Sequence, residues 1–392
     1  MMNPYMQETE NALVHTYNRF PVIFEKGEGV YLYDTEGKKY LDFAAGIAVC
    51  GLGYGNPELT AAVKEQTELL WHTSNLFYNA SCGTAAEALK KASGMDRVFF
   101  TNSGTEANEG MLKAARKYAW KKKTGRYEFI AMEGSFHGRS MGALSVTEHE
   151  AYRTPFEPLI PGVKFAKFND LDSVKALISD TTCAIILEPI QGEGGINMAD
   201  PEFLKGIRKL CDEEGILLLF DEIQCGMGRT GQMFAWQYYG VKPDMMSMAK
   251  AIGSGVPVGA FAMTEDVAKD SLEPGDHGTT YGGNPLVCKA VAKTLEIFEK
   301  ERLTEHVKEI GAYLEERLDE LAASEDTVLE RRGTGLIQGI RLTKPAGEVT
   351  ARAMEEGLVI ITARSDVIRF VPPMVITKEH VDEMIEKLKK SL

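Results

Sequence analysis

Apolar residues in the middle of the chain come in short unbroken runs rather than in alternation. The clearest are RVFFT at 97–101, EFIAM at 128–132, AIILE at 184–188, ILLLF at 216–220, MMSM at 245–248 and VGAFAM at 258–263. Strands that are apolar at successive positions bury both faces, the pattern of a mostly parallel sheet covered by helices. Helical periodicity falls between the runs, over 105–122 and 201–214. Nearer the start, VYLYDTEGKKYLDF at 30–43 alternates around a DTEGK turn and predicts a hairpin. Beyond GGNP at 282–285 the texture changes. Asn284 can cap a helix whose first turn holds Pro285. From about 302 onward, charged amphipathic helices alternate with strand candidates at 334–342 and 366–371. The 392-residue chain exceeds the size at which one core stops growing. The expected fold is therefore α/β, with a large domain over 46–290 and a smaller α+β domain over 291–392. The boundary falls within 286–320, and the segment 1–45 is free to pack with either part.

Charge and cysteine usage narrow the partners. Forty-four Lys and Arg against 57 Asp and Glu leave a net charge of −13. That disfavours nucleic acid or an anionic membrane as the main partner, while local arginines can still receive an acidic substrate. The cysteines at 50, 82, 183, 211, 225 and 288 form no CxxC pair, so no metal site is expected. The opening MMNPYMQETENALVHTYNRF has no basic stretch followed by an apolar core, and no run is long enough to span a bilayer. A cytoplasmic location is expected.

The most distinctive stretch is ILLLFDEIQCGMGRTG at 216–231, which contains GxGxxG at 226–231. A dinucleotide loop needs its first glycine at the strand tip, so that the pyrophosphate meets the next helix. Here five residues from Asp221 to Cys225 intervene, and the next strand ends in Lys250 with no acid placed for a ribose hydroxyl. An aspartate at a strand tip has another use. A pyridine ring becomes an electron sink when its nitrogen stays protonated beside a carboxylate, the chemistry of pyridoxal phosphate (PLP). That cofactor also needs a lysine on its carbonyl carbon. DMMSMAK at 244–250 delivers Lys250 from an apolar strand, where desolvation favours the free amine.

The phosphate needs donors. FFTNSGTEA at 99–107 runs from a strand through a polar turn into a helix, so its free N–H groups, with Ser103 and Thr105, form an anion site. HGTTYGGNP at 277–285 offers a second donor set in Thr279 and Thr280. In FHGR at 136–139, Phe136 can stack on a ring and Arg139 can pair with a carboxylate. Arg369 lies inside the apolar VIRFVPP and demands an anionic partner, for which Glu193 in EPIQGEGG is a candidate. No Gly-Lys-Ser/Thr follows those glycines, so they are not a P-loop.

Taken together, GEGVYLYDTEGKKYLDFAAGIAV, HTSNLFYN, NSGTEAN, FHGR, EPIQGEGG, FDEIQCGMGRTG, AKAIGSGVPVGA, HGTTYGGNP and RFVPP resemble the class III (ornithine/acetylornithine type) aminotransferases, PLP enzymes of fold type I, along nearly the whole chain. The resemblance implies that Lys250 forms the Schiff base and Asp221 partners the pyridine nitrogen, with Gln224 at the ring hydroxyl. Ser103, Gly104 and Thr105 match the phosphate turn, Phe136 the stacking aromatic and Arg139 the substrate-carboxylate arginine. Thr280 matches a threonine that reaches the phosphate of the neighbouring subunit, implying a homodimer with shared sites, and Thr279 matches a substrate contact. Arg369 resembles the arginine for the glutamate or 2-oxoglutarate carboxylate, and Glu193 the acid that pairs with it otherwise. Within the family, HTSNLFYN, NSGTEAN and HGTTYGG imply N2-acetylornithine as donor and 2-oxoglutarate as acceptor, in ping-pong order. Ornithine, succinylornithine, succinyldiaminopimelate and 4-aminobutyrate are the alternative donors; an aminomutase and a nicotinamide dehydrogenase are the alternatives outside the reaction. Cys225 stands where Thr or Ser is commoner, and Gly253-Ser254-Gly255 replaces an all-glycine run.

Overall fold

The computed structural model describes residues 3–392. Its centre is a seven-stranded sheet in the order Arg97–Thr101, Gly259–Met263, Met245–Ala249, Leu217–Asp221, Thr182–Leu187, Glu128–Met132, Val163–Ala166. Gly259–Met263 runs antiparallel to both neighbours, and the other adjacent pairs are parallel. All residues of the four strands Thr182–Leu187, Leu217–Asp221, Met245–Ala249 and Gly259–Met263 are buried, which explains their unbroken apolar runs. Val163–Ala166 has a single buried residue and sits at the edge, so its VKFA sequence carries no such run.

Helices lie against the sheet where the periodicity falls. Gly104–Lys121 packs over Met245–Ala249 and Gly259–Met263. Gly110 permits that approach, because a Cβ there would lie 2.2 Å from the Phe261 ring. Pro201–Glu214 starts where the Asp200 carboxylate accepts the N–H groups of Glu202 and Phe203, and ends at Gly215 with φ 63°.

Tyr31–Asp34 and Lys39–Asp42 form the hairpin, extended on one side by Phe24–Glu28. On the other side Leu358–Val359 pairs parallel with Lys39–Asp42, so the first strands pack with the C-terminal part of the chain. Asn284 Oδ1 accepts the N–H of Val287 and caps Pro285–Lys300, which is followed by the helix Leu303–Ser324. A four-stranded sheet then orders as Val328–Thr334, Ile337–Leu342, Val367–Phe370, Ile361–Thr362, with Gly339 opposite Arg369. One apolar cluster includes Val30, Phe220, Phe298 and Leu388, tying these parts together. Among the described residues, no helix is long and apolar enough to cross a membrane.

Candidate active site

The ends of two adjacent parallel strands bring the central pair together. Asp221, the last residue of its strand, is in register with Ser247, three residues before Lys250. Lys250 leaves its strand with φ 53°, a left-handed conformation that costs a non-glycine residue on the order of 1–3 kcal/mol. Its amine makes no hydrogen bond among the described residues. Burial pushes its pKa down to about 8, with Glu193 acting against that shift and Arg369 reinforcing it.

Asp221 is buried. Its Oδ2 accepts from Asn108 Nδ2 at 2.8 Å and lies 2.8 Å from His137 Nδ1; its Oδ1 accepts from the Ile223 N–H at 3.0 Å. A carboxylate acceptor puts the imidazole proton on Nδ1, while the buried Nε2 has no partner. Asn108 also donates to the His137 carbonyl at 2.7 Å, locking the pair to the backbone.

The turn at 103–105 starts the helix Gly104–Lys121. Ser103 Oγ accepts the Glu106 N–H at 3.3 Å, and the Ser103 carbonyl accepts the Ala107 N–H at 3.1 Å. The N–H groups of Gly104 and Thr105 have no partner among the described residues and point out of the first turn. A Cβ on Gly104 would meet the Ile223 side chain at 2.7 Å, so glycine keeps this end open. Thr105 Oγ1 lies 2.7 Å from Ser140 Oγ.

The acid and base predicted to meet do so. Arg369 Nη1 donates to Glu193 Oε1 at 2.6 Å and Nη2 to Oε2 at 3.1 Å. Nη1 also donates to Gln224 Oε1 at 2.8 Å, so Gln224 is part of this ion pair. Burial pushes the Glu193 carboxyl up, but Arg369, with Lys250 and Gln224, pulls it down and the net shift is downward. Arg139 has no carboxylate partner among the described residues; its guanidinium lies 3.7 Å from the centre of the Tyr152 ring. Glu188 accepts the N–H groups of Phe136 at 2.9 Å and Gly192 at 3.0 Å, holding together the loops that carry Phe136 and Glu193. Burial raises its pKa to about 7, opposed by His137 and reinforced by Asp221.

Ser103, Gly104, Thr105, Phe136, Arg139, Asp221, Gln224 and Lys250 line one cavity of about 430 Å³. A neighbouring cavity of about 750 Å³ shares Phe136, Arg139 and Lys250 with it and adds Glu193. Arg369 reaches these walls through Glu193. Thr279 and Thr280 line neither. Thr279 Oγ1 accepts from Asn102 Nδ2 at 3.1 Å, beside the anion turn, whereas Thr280 is exposed. His137, Asn108, Glu188 and Tyr152 are part of the site without having been singled out by sequence. Of these, Glu188 had a readable signal, an acid closing the AIILE run. A buried amine whose pKa is pushed down, a buried carboxylate, a helix N-terminus with two free N–H groups and an aromatic side chain on one wall fit a group with a carbonyl, a ring nitrogen and a phosphate. Among the described residues no cluster of three or more His, Cys, Asp or Glu could hold a metal ion.

The family model for aminotransferase class-III matches residues 13–392, so the chain belongs to the class III aminotransferases, whose cofactor is PLP. It is 46% identical to the acetylornithine aminotransferase of Methanocaldococcus jannaschii, over 95% of this chain and 94% of that one. Identity to the acetylornithine aminotransferase of Aquifex aeolicus is also 46%, over 97% and 99% of the two chains. The ornithine aminotransferase of Toxoplasma gondii, in a structure described with partial occupancy of PLP at its active site, superposes with a TM-score of 0.94 at 32% identity, covering 99% of this chain and 93% of that one.

Proposed function

We propose that the chain transfers the terminal amino group of N2-acetylornithine to 2-oxoglutarate, giving N-acetylglutamate 5-semialdehyde and glutamate, a step of arginine biosynthesis, in the cytoplasm. The observation that carries this reading is the Arg369–Glu193 pair, 2.6 Å across, in the cavity wall beside Lys250. With the pair closed, Arg139 is the free guanidinium for the single carboxylate of an acylated donor. With Glu193 turned away, Arg369 is released for the second carboxylate of 2-oxoglutarate. One pocket thereby serves both halves of a ping-pong exchange.

PLP would be held by Lys250 at its carbonyl, by Asp221 at its ring nitrogen, by Phe136 on one ring face and by the 103–105 turn at its phosphate. When bound, it supplies a ring that accepts the electron pair left as a proton leaves the substrate carbon. Lys250 Nζ, unprotonated once displaced from the carbonyl, takes that proton and returns it. Asp221, held by His137 and Asn108, would present its carboxylate to the ring nitrogen. Gln224 links the ring end of the pocket to the Arg369–Glu193 pair.

Replacing Arg369 by Lys tests the exchange. A point charge loses the two-pronged grip on a carboxylate, so KM for 2-oxoglutarate is expected to rise about 10- to 100-fold, the equivalent of roughly 1.4–2.8 kcal/mol. The donor half-reaction, followed in single turnover with N2-acetylornithine, is expected to change little. Equal losses in both half-reactions would remove Arg369 from this role.

We also propose a homodimer. Asn75 Nδ2 donates to the carbonyls of Thr279 and Gly282, and Asn79 Nδ2 to that of Gly283, joining two exposed segments into one face. That face presents Trp71, Leu76, Phe77, Tyr78 and Tyr281 to solvent, beside Thr280. An apolar face of this kind calls for cover, and a second copy would put Thr280 at the neighbouring phosphate. Phe77→Lys together with Tyr78→Lys is expected to give a monomer in sedimentation that releases PLP on dialysis. A monomer that retains PLP and full activity would contradict the shared site.

A further inference from the structure

The GMGRTG loop at 226–231 is no dinucleotide site, and the reaction above leaves it without a task. At its centre Arg229 is fully buried. Among the described residues, no carboxylate lies within ion-pair distance of its guanidinium. Instead Nη1 donates to two backbone carbonyls, Leu336 at 3.1 Å and Pro372 at 2.5 Å, and Nε and Nη2 have no partner. The backbone makes a reciprocal contact, the Leu336 N–H donating to the Arg229 carbonyl at 2.8 Å. Gly335 permits this closeness, since a Cβ there would lie 2.2 Å from that carbonyl oxygen. Burial works against the guanidinium's charge, and the nearby Asp42 carboxylate supports it.

What Arg229 grips gives the contact its meaning. Leu336 immediately precedes the strand Ile337–Leu342, and Pro372 follows Val367–Phe370, the strand that pairs with it. Arg369 lies on the second of these, three residues before Pro372. The loop itself follows the strand that ends in Asp221. One side chain therefore ties the sheet carrying Arg369 to the strand end carrying Asp221. We infer that Arg229 is a positioning residue that sets where Arg369 stands over the Lys250 cavity, and so how firmly the acceptor dicarboxylate is held. The inference rests on the reading of Arg369 as the receiver of that carboxylate. A fixed frame of this kind also lets Glu193 and Gln224 move on and off Arg369 while the arginine stays in place.

The test compares holoenzymes with Arg229→Lys, which keeps the charge but ends one bond short of the Nη1 position from which both carbonyls are met, and Arg229→Met, which removes the charge. Both are expected to raise KM for 2-oxoglutarate about tenfold or more, with kcat and the N2-acetylornithine half-reaction each within about threefold of the parent. The lysine variant guards against misfolding of the methionine variant, and retained visible absorption verifies that each is folded and loaded. Losses shared equally by both half-reactions, or failure of both variants to fold, would make Arg229 purely structural and overturn the inference. Arg369→Lys measured alongside separates the two levels. If it leaves KM for 2-oxoglutarate unchanged, the reading of Arg369 falls and the inference falls with it. If it raises that KM while the Arg229 variants do not, the inference alone falls.

Discussion

Lys250→Ala is expected to lower transamination by about 10,000-fold or more and to abolish the protein's visible absorption. General-base catalysis alone is worth about 100- to 10,000-fold, and this variant also loses the covalent tether. The structure supplies the reason that no neighbour can take over. Lys250 follows a fully buried strand with φ 53°, and the charged groups that act on its amine, Glu193, Arg369, Asp221 and Glu188, include no second amine to form the tether. The same burial sets a pH dependence. A pKa pushed down to about 8 leaves the amine mostly protonated below that pH and mostly free above it. Capture of PLP by the cofactor-stripped protein needs the free amine, so its rate is expected to climb through pH 8 and then level off. A rate flat from pH 6 to 9 would contradict the desolvated environment. An Ala variant that retains activity would remove Lys250 from the chemistry.

The second large effect is at Asp221. Asp221→Asn preserves shape but removes the charge, and is expected to cut single-turnover rates by about 100- to 10,000-fold while leaving the Lys250-dependent colour in place. Asn108 Nδ2 and His137 Nδ1 both point donors at Oδ2, and an amide nitrogen placed there would face two donors. The asparagine is therefore expected to settle with its oxygen toward them and its amide nitrogen toward the Ile223 N–H, which loses that acceptor and costs about 1–3 kcal/mol of stability, while the loss in rate is electrostatic. A rate near the parent's, with colour intact, would show that the ring nitrogen does not need this carboxylate.

How far the sequence carries depends on what each residue does locally. Strands buried on both faces announce themselves, as Thr182–Leu187 and Leu217–Asp221 do, and a charged residue ending such a strand stands out as Asp221 and Lys250 do. The edge strand Val163–Ala166 does not, because a half-exposed strand needs no apolar run. The direction of Gly259–Met263 is equally invisible, since an antiparallel strand buried on both faces has the same composition as a parallel one. Site residues divide in the same way. Arg369 and Glu193 attract notice as charges in apolar or glycine-rich settings. Asn108 reads as one polar residue on a long helix, and His137 as a neighbour of Phe136. Their meaning lies in contacts with Asp221, 113 and 84 residues away along the chain. Thr280 is exposed and lines neither cavity, so the role proposed for it lies in a second copy of the chain. The GxGxxG at 226–231 shows the opposite hazard. Its glycines serve close packing, with Gly228 against Phe298 and Met374 and Gly231 against Lys308.

The central claim is that Lys250 and Asp221 hold PLP for transamination from N2-acetylornithine. The most direct measurement is the visible absorption spectrum of the purified protein, before and after N2-acetylornithine is added without 2-oxoglutarate. The expected result is a yellow protein whose visible band disappears with about one equivalent of donor per chain and returns when 2-oxoglutarate follows. A colourless protein, or a band untouched by N2-acetylornithine but discharged by free ornithine, would contradict it.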